Sequence, residues 1–195
     1  MTKELNFWNH TWPLLAEHCP CDVHFLEYLH NEGLGNQVIF HFGTGEHHII
    51  GKQCATFPDI KLRNEVLGIT ASYEEYAAYI NLVVSDAAIA NYYKVIFADI
   101  YTLTERLLPQ FDLVTLFHLC EFYDAEICEY ARLDDTSLVQ LFLNHLKLGG
   151  LIFFYTGSMA FDRAKKIIKK FEQNKKIEFV GEHGEIVIYQ QVIRG

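Results

Sequence analysis

The chain has 195 residues, of which half are hydrophobic and 14% are aromatic. This composition predicts one folded domain with a sizeable core and excludes a chain that is disordered throughout. The formal net charge of −9 argues against sequence-independent binding of nucleic acid, which needs clustered lysines and arginines. One basic run has helical spacing and is interpreted as the solvent-facing side of a helix. Its members are Lys165, Lys166, Lys169 and Lys170.

The sequence favours a soluble, cytoplasmic protein with reduced thiols. Residues 1–9 lack the charged start, apolar run and cleavage site of a signal peptide, and no apolar stretch approaches the roughly 20 residues that span a bilayer. The five cysteines are an odd number, which favours free thiols over a disulfide framework. The segment from His18 to His24 imitates a metal site, but its Cys-x-Cys spacing is too short for zinc, so we expect no metal.

Short apolar runs alternate with amphipathic segments, which predicts strands and helices in turn. Strands are predicted at 37–41, 66–70, 94–98, 111–116 and 151–155. Helices are predicted at 22–31, from the glycine turn at 43–45 to about 54, after 72, at 137–147 and at about 161–173. Asp22 is expected to cap the first of these helices.

Two helices have an apolar face that the spacing assigns. Ser72 and Glu75 have the spacing of a capping box, which opens a helix at this point. The predicted buried face of that helix consists of Tyr73, Tyr76, Ala77 and Ile80. The predicted core positions of the helix at 137–147 are Leu138, Leu141, Phe142 and His145. Gly149 and Gly150 are expected to end this helix.

The end of the chain narrows the choice of fold. The last two predicted strands, 177–180 and 186–189, are joined by a short turn and should pair antiparallel, whereas strands with helical crossovers should be parallel. We therefore expect an α/β fold, a Rossmann-like doubly wound sheet of about seven strands, mostly parallel, with a C-terminal antiparallel hairpin. One domain would span 1–195, with a helical cap over 1–36 and the core over 37–195. The alternative is a doubly wound sheet without a nucleotide site.

Four segments in order carry a family resemblance. They are His41-Phe-Gly43-Thr-Gly45-Glu-His47, Phe111-Asp-Leu-Val114, Leu146-Lys-Leu-Gly-Gly-Leu-Ile-Phe153 and the hairpin from Phe179 to Tyr189. With these motifs the chain resembles the class I S-adenosylmethionine-dependent methyltransferases from about Gln37 to Gln190. The resemblance implies S-adenosylmethionine as the cofactor.

The resemblance also implies where the cofactor binds. Gly43 and Gly45 would let backbone approach its methionine part, and helix amides beyond them would favour a carboxylate. Asp99 would accept a hydrogen bond from the adenine amino group, although an N-cap role for the segment that follows is the alternative. The implied cofactor-binding residues are His41, Gly43, Thr44, Gly45, Thr70, Ala71, Ser72, Asp99, Ile100 and Phe117.

The sequence departs from the family pattern at three positions. His41 replaces the acid before the first glycine, and His47 replaces a later glycine. The acid that holds both ribose hydroxyls at the end of the second strand is absent, and Thr70 stands there instead. A hydroxyl cannot form the charge-assisted pair that a carboxylate offers. Thr70, Ser72 or Glu46 could compensate.

Three residues are the catalytic candidates: His118, His47 and Glu121. A histidine near the sulfonium would act as a base for a hydroxyl acceptor, whereas an amine or carboxylate needs alignment only. Structural or ligand-contacting roles for these residues remain open. The segment from Phe7 to Tyr28 carries Trp8 and Trp12 and would form a flap over the cleft or pack on the sheet.

The acceptor is expected to be a small molecule. The Asn/Asp-Pro-Pro-aromatic motif of enzymes that methylate amino groups of DNA and protein is absent, and the acidic charge also argues against nucleic acid. Three hypotheses remain: a methyltransferase, another enzyme that attacks a different carbon of the sulfonium (aminopropyl transfer or intramolecular cyclisation), and a non-catalytic binding or partner protein. We expect no membrane partner, and a homodimer is one option.

Overall fold

The computed structural model describes Leu5, Trp8 and residues 20–192. This part of the chain forms a seven-stranded sheet with the strand order β3-β2-β1-β4-β5-β7-β6. The strands are β1 (Val38–Phe42), β2 (Glu65–Thr70), β3 (Tyr93–Phe97), β4 (Phe111–Thr115), β5 (Leu146–Tyr155), β6 (Ile177–His183) and β7 (Ile186–Gln191). β1 to β5 pair in parallel, while β7 pairs antiparallel with both β5 and β6. The predicted fold class is confirmed.

Helices cover both faces of the sheet. They are α1 (Cys21–Asn31), α2 (Ile49–Thr56), α3 (Tyr73–Ser85), α4 (Ile89–Tyr92), α5 (Ala125–Cys128), α6 (Asp135–His145) and α7 (Phe161–Gln173). Successive strand residues bury against opposite layers: Ile39 packs with α1, α2 and α4, whereas Phe40 packs with α6 and α7. The strand order reverses between β1 and β4, which places the crevice of a doubly wound sheet at the carboxyl ends of these strands.

The predicted faces of two helices had different outcomes. All four predicted core positions of α6 are buried, from Leu138 to His145. The prediction for α3 was wrong, because Tyr73 is 64% exposed and Ile80 is 45% exposed. Glu75 is the buried residue of α3, and Tyr79 packs on Tyr93 of β3. Since α3 carries apolar residues on nearly every side, its periodicity does not select a face, and packing against β3 decides it.

Several predicted boundaries were also wrong. Pro20, not Asp22, occupies the N-cap position of α1, and Asp22 lies in the first turn. α2 begins only at Ile49. α6 ends at His145 and β5 begins at the next residue, so the two glycines that were expected to stop the helix lie inside the strand. There the register against β4 shifts, and Gly149 has a φ of 80°.

Other expectations concern the surface and the thiols. No helix within the described residues is long and apolar enough to cross a membrane. The described cysteines Cys54, Cys120 and Cys128 have free thiols. The basic run on α7 lies on the exposed side of that helix, as its spacing predicted. His18 and Cys19 of the apparent metal motif lie outside the described residues.

Candidate functional site

A cavity of about 680 Å³ lies where the five parallel strands end. The segments that follow β1, β2, β3, β4 and β5 each contribute to its wall. Eleven of the predicted site residues line it: Gly43, Thr44, Gly45, His47, Thr70, Ala71, Ser72, Asp99, Ile100, His118 and Glu121. The carboxyl ends of parallel strands are where sheets of this kind bind ligands.

A tight turn after β1 forms one wall of the cavity. Gly43 and Gly45 have φ angles of 87° and 58°, in the left-handed region that glycine adopts at low cost. A Cβ at Gly43 would lie 2.8 Å from Cδ2 of His118, so no larger residue fits between the turn and this ring. The turn therefore presents bare backbone to the cavity.

The corner between this turn and the end of β2 is built around a buried acid, Glu75. The Thr70 hydroxyl donates to Oε2 of Glu75 at 2.6 Å, and the Thr44 hydroxyl donates to the same oxygen at 3.2 Å. Glu75 is 5% exposed and lines the cavity. Burial raises the pKa of its carboxyl group, while the hydrogen bonds from Thr70 and Thr44 act in the opposite direction. A carboxylate thus stands beside Thr70, where the family acid is missing.

Sequence reasoning missed Glu75 because the capping-box interpretation had already assigned its side chain. Half of that box exists, since the Glu75 N–H donates to the Ser72 hydroxyl at 3.3 Å. The carboxylate, however, points to the threonines. Of the residues named as substitutes for the missing acid, Glu46 is exposed. The available signal was the position of Glu75 in the first turn of the helix that follows β2.

His48 holds the backbone of Glu75 in place. Its Nε2 donates to the carbonyl oxygen of Glu75 at 2.8 Å, and its Nδ1 accepts from the Tyr93 hydroxyl at 2.7 Å. Burial lowers the pKa of His48, which keeps the ring neutral and suits one donor and one acceptor. The neighbouring His47 is exposed at the rim of the cavity.

Two predicted cofactor-binding residues, His41 and Phe117, do not line the cavity. Each is only 1% exposed. Phe117 packs edge-to-face on Phe25 of α1. Burial is the main cause that lowers the pKa of His41 to about 3, and the nearby His118 adds to this effect. Nδ1 of His41 lies 2.8 Å from the Thr115 hydroxyl. Both side chains belong to the core that supports the turn.

An acid from α1 lies next to His41. Oδ1 of Asp22 is 3.9 Å from Nε2 of His41, and this buried nitrogen has no hydrogen-bond partner among the described residues. Asp22 lines the cavity. The structure thus places a carboxylate from a helix that precedes β1 beside the position where the sequence has His41.

Asp99 follows β3 and is already bound on both oxygens. Oδ1 accepts the Tyr101 N–H at 2.9 Å, which makes Asp99 the N-cap of a 3₁₀ turn, Ile100–Thr102. Oδ2 accepts the Tyr130 hydroxyl at 2.6 Å. The N-cap alternative is thus confirmed, and the residue also lines the cavity.

His118 and Glu121 form a pair on the opposite wall. Nδ1 of His118 donates to Oε2 of Glu121 at 3.0 Å, and the Ser158 hydroxyl donates to Oε1 at 2.5 Å. Burial acts to raise the pKa of Glu121, but the His118 and Ser158 contacts outweigh it and hold the pKa below its ordinary value. Nε2 of His118 lies on the side that faces the glycine turn, 3.3 Å from where a Gly43 Cβ would be.

Trp8 crosses from one wall to the other. The backbone N–H of Trp8 donates to the Ala71 carbonyl at 3.0 Å, and the backbone carbonyl of Trp8 accepts the Tyr73 N–H at 3.3 Å. These two hydrogen bonds attach Trp8 to the segment after β2. Its ring meets Phe122, which follows β4, with centroids 5.7 Å apart. Trp8 lines the cavity, as a flap would, while Trp12 of the predicted flap lies outside the described residues.

No family model matches the sequence, and no curated protein matches it by sequence. Solved structures do match. The Synechocystis PCC 6803 magnesium protoporphyrin IX methyltransferase with bound S-adenosylmethionine has a TM-score of 0.60 at 12% identity, over 89% of this chain and 79% of that chain. The N-methyltransferase NodS of Bradyrhizobium japonicum WM9, in complex with S-adenosyl-L-homocysteine, has a TM-score of 0.59 at 10% identity, over 88% and 86%.

A third similar structure is the [4+2]-cyclase SpnF, with a TM-score of 0.59 at 14% identity over 90% of this chain and 63% of that chain. Together these matches show that the chain has the fold of class I S-adenosylmethionine-dependent methyltransferases. Identities this low establish the fold and leave the reaction open.

Proposed function

We propose that the chain binds S-adenosylmethionine in this cavity and transfers its methyl group to a small-molecule acceptor. The observation that carries the proposal is the cavity itself, which joins the ends of five parallel strands and has the bare glycine turn in its wall. Proteins of the same fold have been crystallised with this cofactor or its demethylated product.

The residues present fit the chemical parts of the cofactor. The backbone amides of Thr44 and Gly45 suit a carboxylate, whereas that of Gly43 already donates to the Ile69 carbonyl. The buried carboxylate of Asp22 suits an ammonium group. Asp99, Ile100 and Tyr101 would border the adenine. Bound there, the cofactor would supply an electrophilic methyl group on a positively charged sulfur.

His118 and Glu121 would serve the acceptor. If the acceptor is a hydroxyl, His118 is the group in the wall that can take its proton, and the charged Glu121 at 3.0 Å stabilises the resulting imidazolium. No hydrogen bond joins His47 to this pair among the described residues, so we assign His47 to the rim. Aromatic residues near the pair, Phe42 and Phe122, suit an acceptor with apolar surface.

The charge of the chain and its thiols support the proposed acceptor and setting. A net charge of −9 disfavours a nucleic-acid substrate, and free thiols fit a cytoplasmic protein. Residues 1–36 would act as the cap over the core formed by 37–195, since Trp8 and Asp22 both line the cavity.

Calorimetric titration with S-adenosylmethionine and S-adenosylhomocysteine tests cofactor binding. We expect both to bind, and Asp22→Asn to weaken binding by about 1.5–3 kcal/mol, the size of a hydrogen bond to a charged group. Glu32→Gln, an exposed acid just after α1, is the matched control. Absence of heat and of a thermal shift for the unmodified chain would favour the non-catalytic hypothesis.

Mass analysis of the spent cofactor then separates the two kinds of enzyme. S-adenosylhomocysteine as the product indicates methyl transfer, whereas methylthioadenosine indicates attack on another carbon. The second candidate, a cyclising enzyme, is favoured by one observation, the similarity in fold to a [4+2]-cyclase. Release of methylthioadenosine from S-adenosylmethionine with no acceptor supplied would support this second candidate.

A further inference from the structure

We infer that Glu75 is the acid that binds the ribose hydroxyls of the nucleoside, in place of the acid that the end of β2 lacks. The inference rests on the proposed function, because it names the residue that recognises one part of the proposed cofactor. In chemical terms, the corner formed by Glu75, Thr70 and Thr44 is inferred to be a binding site for a vicinal diol.

The two oxygens of Glu75 have different environments. Oε2 accepts both threonine hydroxyls, at 2.6 and 3.2 Å. Oε1 meets no hydrogen-bond donor within the described part of the chain, although the residue lines the cavity. A carboxylate oxygen can accept two hydrogen bonds, so Oε1 retains acceptor capacity toward a ligand.

Four hydrogen bonds set the position of this carboxylate. The Ser72 hydroxyl accepts the Glu75 N–H and His48 donates to its carbonyl, which fixes the backbone at both ends. The two threonine bonds then fix the side chain. Gly68 makes room for one of them, since a Cβ there would lie 2.8 Å from Cγ2 of Thr44. A group this well positioned loses little entropy when it binds a ligand.

Within the described residues, no lysine, arginine or histidine forms an ion pair with Glu75. A glutamine would accept the same two threonine hydrogen bonds through its carbonyl oxygen. Burying a carboxylate costs free energy, which is why burial raises the pKa of Glu75. An acid kept at this place despite that cost is explained by a ligand that donates hydrogen bonds to its second oxygen, Oε1.

Other groups at the corner are less suited to the task. The Thr70 hydroxyl donates its only proton to Glu75, and the side chain of Glu46 is exposed. Asp99 is bound by Tyr101 and Tyr130 and follows β3, one strand further out. Glu75 is thus the acid that lies beside the end of β2.

The test compares S-adenosylhomocysteine with its analogue that lacks both ribose hydroxyls, by calorimetric titration of the full chain. The unmodified protein should bind the dideoxy analogue about 10- to 100-fold more weakly, the range for hydrogen bonds to a charged acceptor. Glu75→Gln should bind S-adenosylhomocysteine correspondingly more weakly and lose most of this discrimination. Glu74→Gln, an exposed acid on the same helix turn, should change neither value.

A relocation variant sharpens the test. Thr70→Asp combined with Glu75→Gln returns the acid to the end of β2 and should restore discrimination, whereas Thr70→Asp alone places two carboxylates together and should bind poorly.

The outcomes separate the two proposals. If the unmodified chain binds neither compound, the proposed function fails and this inference with it. If it binds both equally, the inference alone is overturned, whatever the variants do. If discrimination persists in Glu75→Gln, another residue holds the hydroxyls and the inference is again overturned. If Glu75→Gln does not fold, Thr70→Asp alone decides, because it keeps Glu75: binding of S-adenosylhomocysteine as tight as in the unmodified chain would overturn the inference.

Discussion

The two walls of the cavity differ in how they are built. On the β1–β2 side, Thr44 and Thr70 are buried and both donate hydrogen bonds to the buried Glu75. On the β4–β5 side, His118 and Glu121 are bound to each other but remain partly exposed, and Met159 at the mouth is 94% exposed.

This difference matches two different demands. A cofactor always has the same structure, so it is best bound by a preorganised wall, because side chains that are already fixed lose little conformational entropy on binding. An acceptor must enter, react and leave, which requires an open wall with few strong contacts. We therefore expect substitutions on the first wall to affect stability and cofactor binding, and those on the second to affect turnover.

Gly68→Ala should have the largest effect on stability. Its Cβ would lie 2.8 Å from Thr44 and 3.3 Å from the Tyr93 hydroxyl, both in the buried wall. Overpacking of this kind costs about 1–3 kcal/mol, and we expect loss of binding to S-adenosylhomocysteine as Thr44 is displaced. Urea unfolding and calorimetry would measure the two effects. Gly181→Ala is the control because a Cβ there meets open space; equal effects of the two changes would contradict the packed-wall interpretation.

Asp99→Ala should have the next largest effect. It removes an N-cap contact to Tyr101 and a hydrogen bond from Tyr130, which together should cost about 1–2 kcal/mol of unfolding free energy. Binding of S-adenosylhomocysteine should weaken by at least about 1 kcal/mol if the carboxylate also contacts the adenine. Tyr130→Phe removes only one of the contacts and should lower stability less; an unchanged dissociation constant for Asp99→Ala would remove this residue from the site.

Glu75→Gln should stabilise the ligand-free protein while weakening binding. Burial raises the pKa of Glu75 above its ordinary 4.5, so the folded state holds this proton more tightly than the unfolded state. Stability is then lost as pH rises from about 4.5 through the raised pKa. Glutamine does not titrate, so the variant does not lose this stability. Its unfolding temperature should be higher than that of the unmodified protein above this pH range and nearly equal to it in acid. A variant less stable than the parent at neutral pH would mean that the charge has a structural role.

Glu121→Gln should show the opposite pH dependence on the other wall. The pKa of Glu121 lies below its ordinary 4.5, so the carboxylate adds stability above that pH and this contribution disappears as pH falls through the lowered pKa. The variant should be less stable than the parent at pH 7, and the difference should shrink in acid. Glu178→Gln, an exposed acid on β6, serves as the control in denaturant titrations at both pH values.

Met159→Ser should have the smallest effect on the folded protein. Its side chain is almost fully exposed, so unfolding free energy should change by less than about 0.5 kcal/mol. Binding of S-adenosylhomocysteine should also stay the same, while the KM of an identified acceptor shifts. A clear loss of stability would contradict the contrast between the walls.

Most of the fold could be predicted because its signals are local. The apolar runs of the strands, the crossover helices and the short turn before Ile186 specify parallel strands followed by a hairpin. The buried faces of the helices were harder to predict from the sequence. α6 has one apolar face, which was assigned correctly, whereas α3 is apolar on most sides and its buried face was not. The glycine turn was found because Gly43 and Gly45 match the family's motif after the first strand, and their positive φ angles agree with it.

The sequence by itself determined the order of elements, the parallel sheet and the place of the cavity, since hydrophobic period and turn residues are properties of neighbouring positions. Only the tertiary structure decided that His41 is a core residue, that Asp22 comes from an earlier helix to lie beside it, and that the Glu75 carboxylate turns toward Thr70 and Thr44. Those facts depend on contacts between segments distant in the chain or on the direction of a side chain, and neither leaves a periodic trace in the sequence.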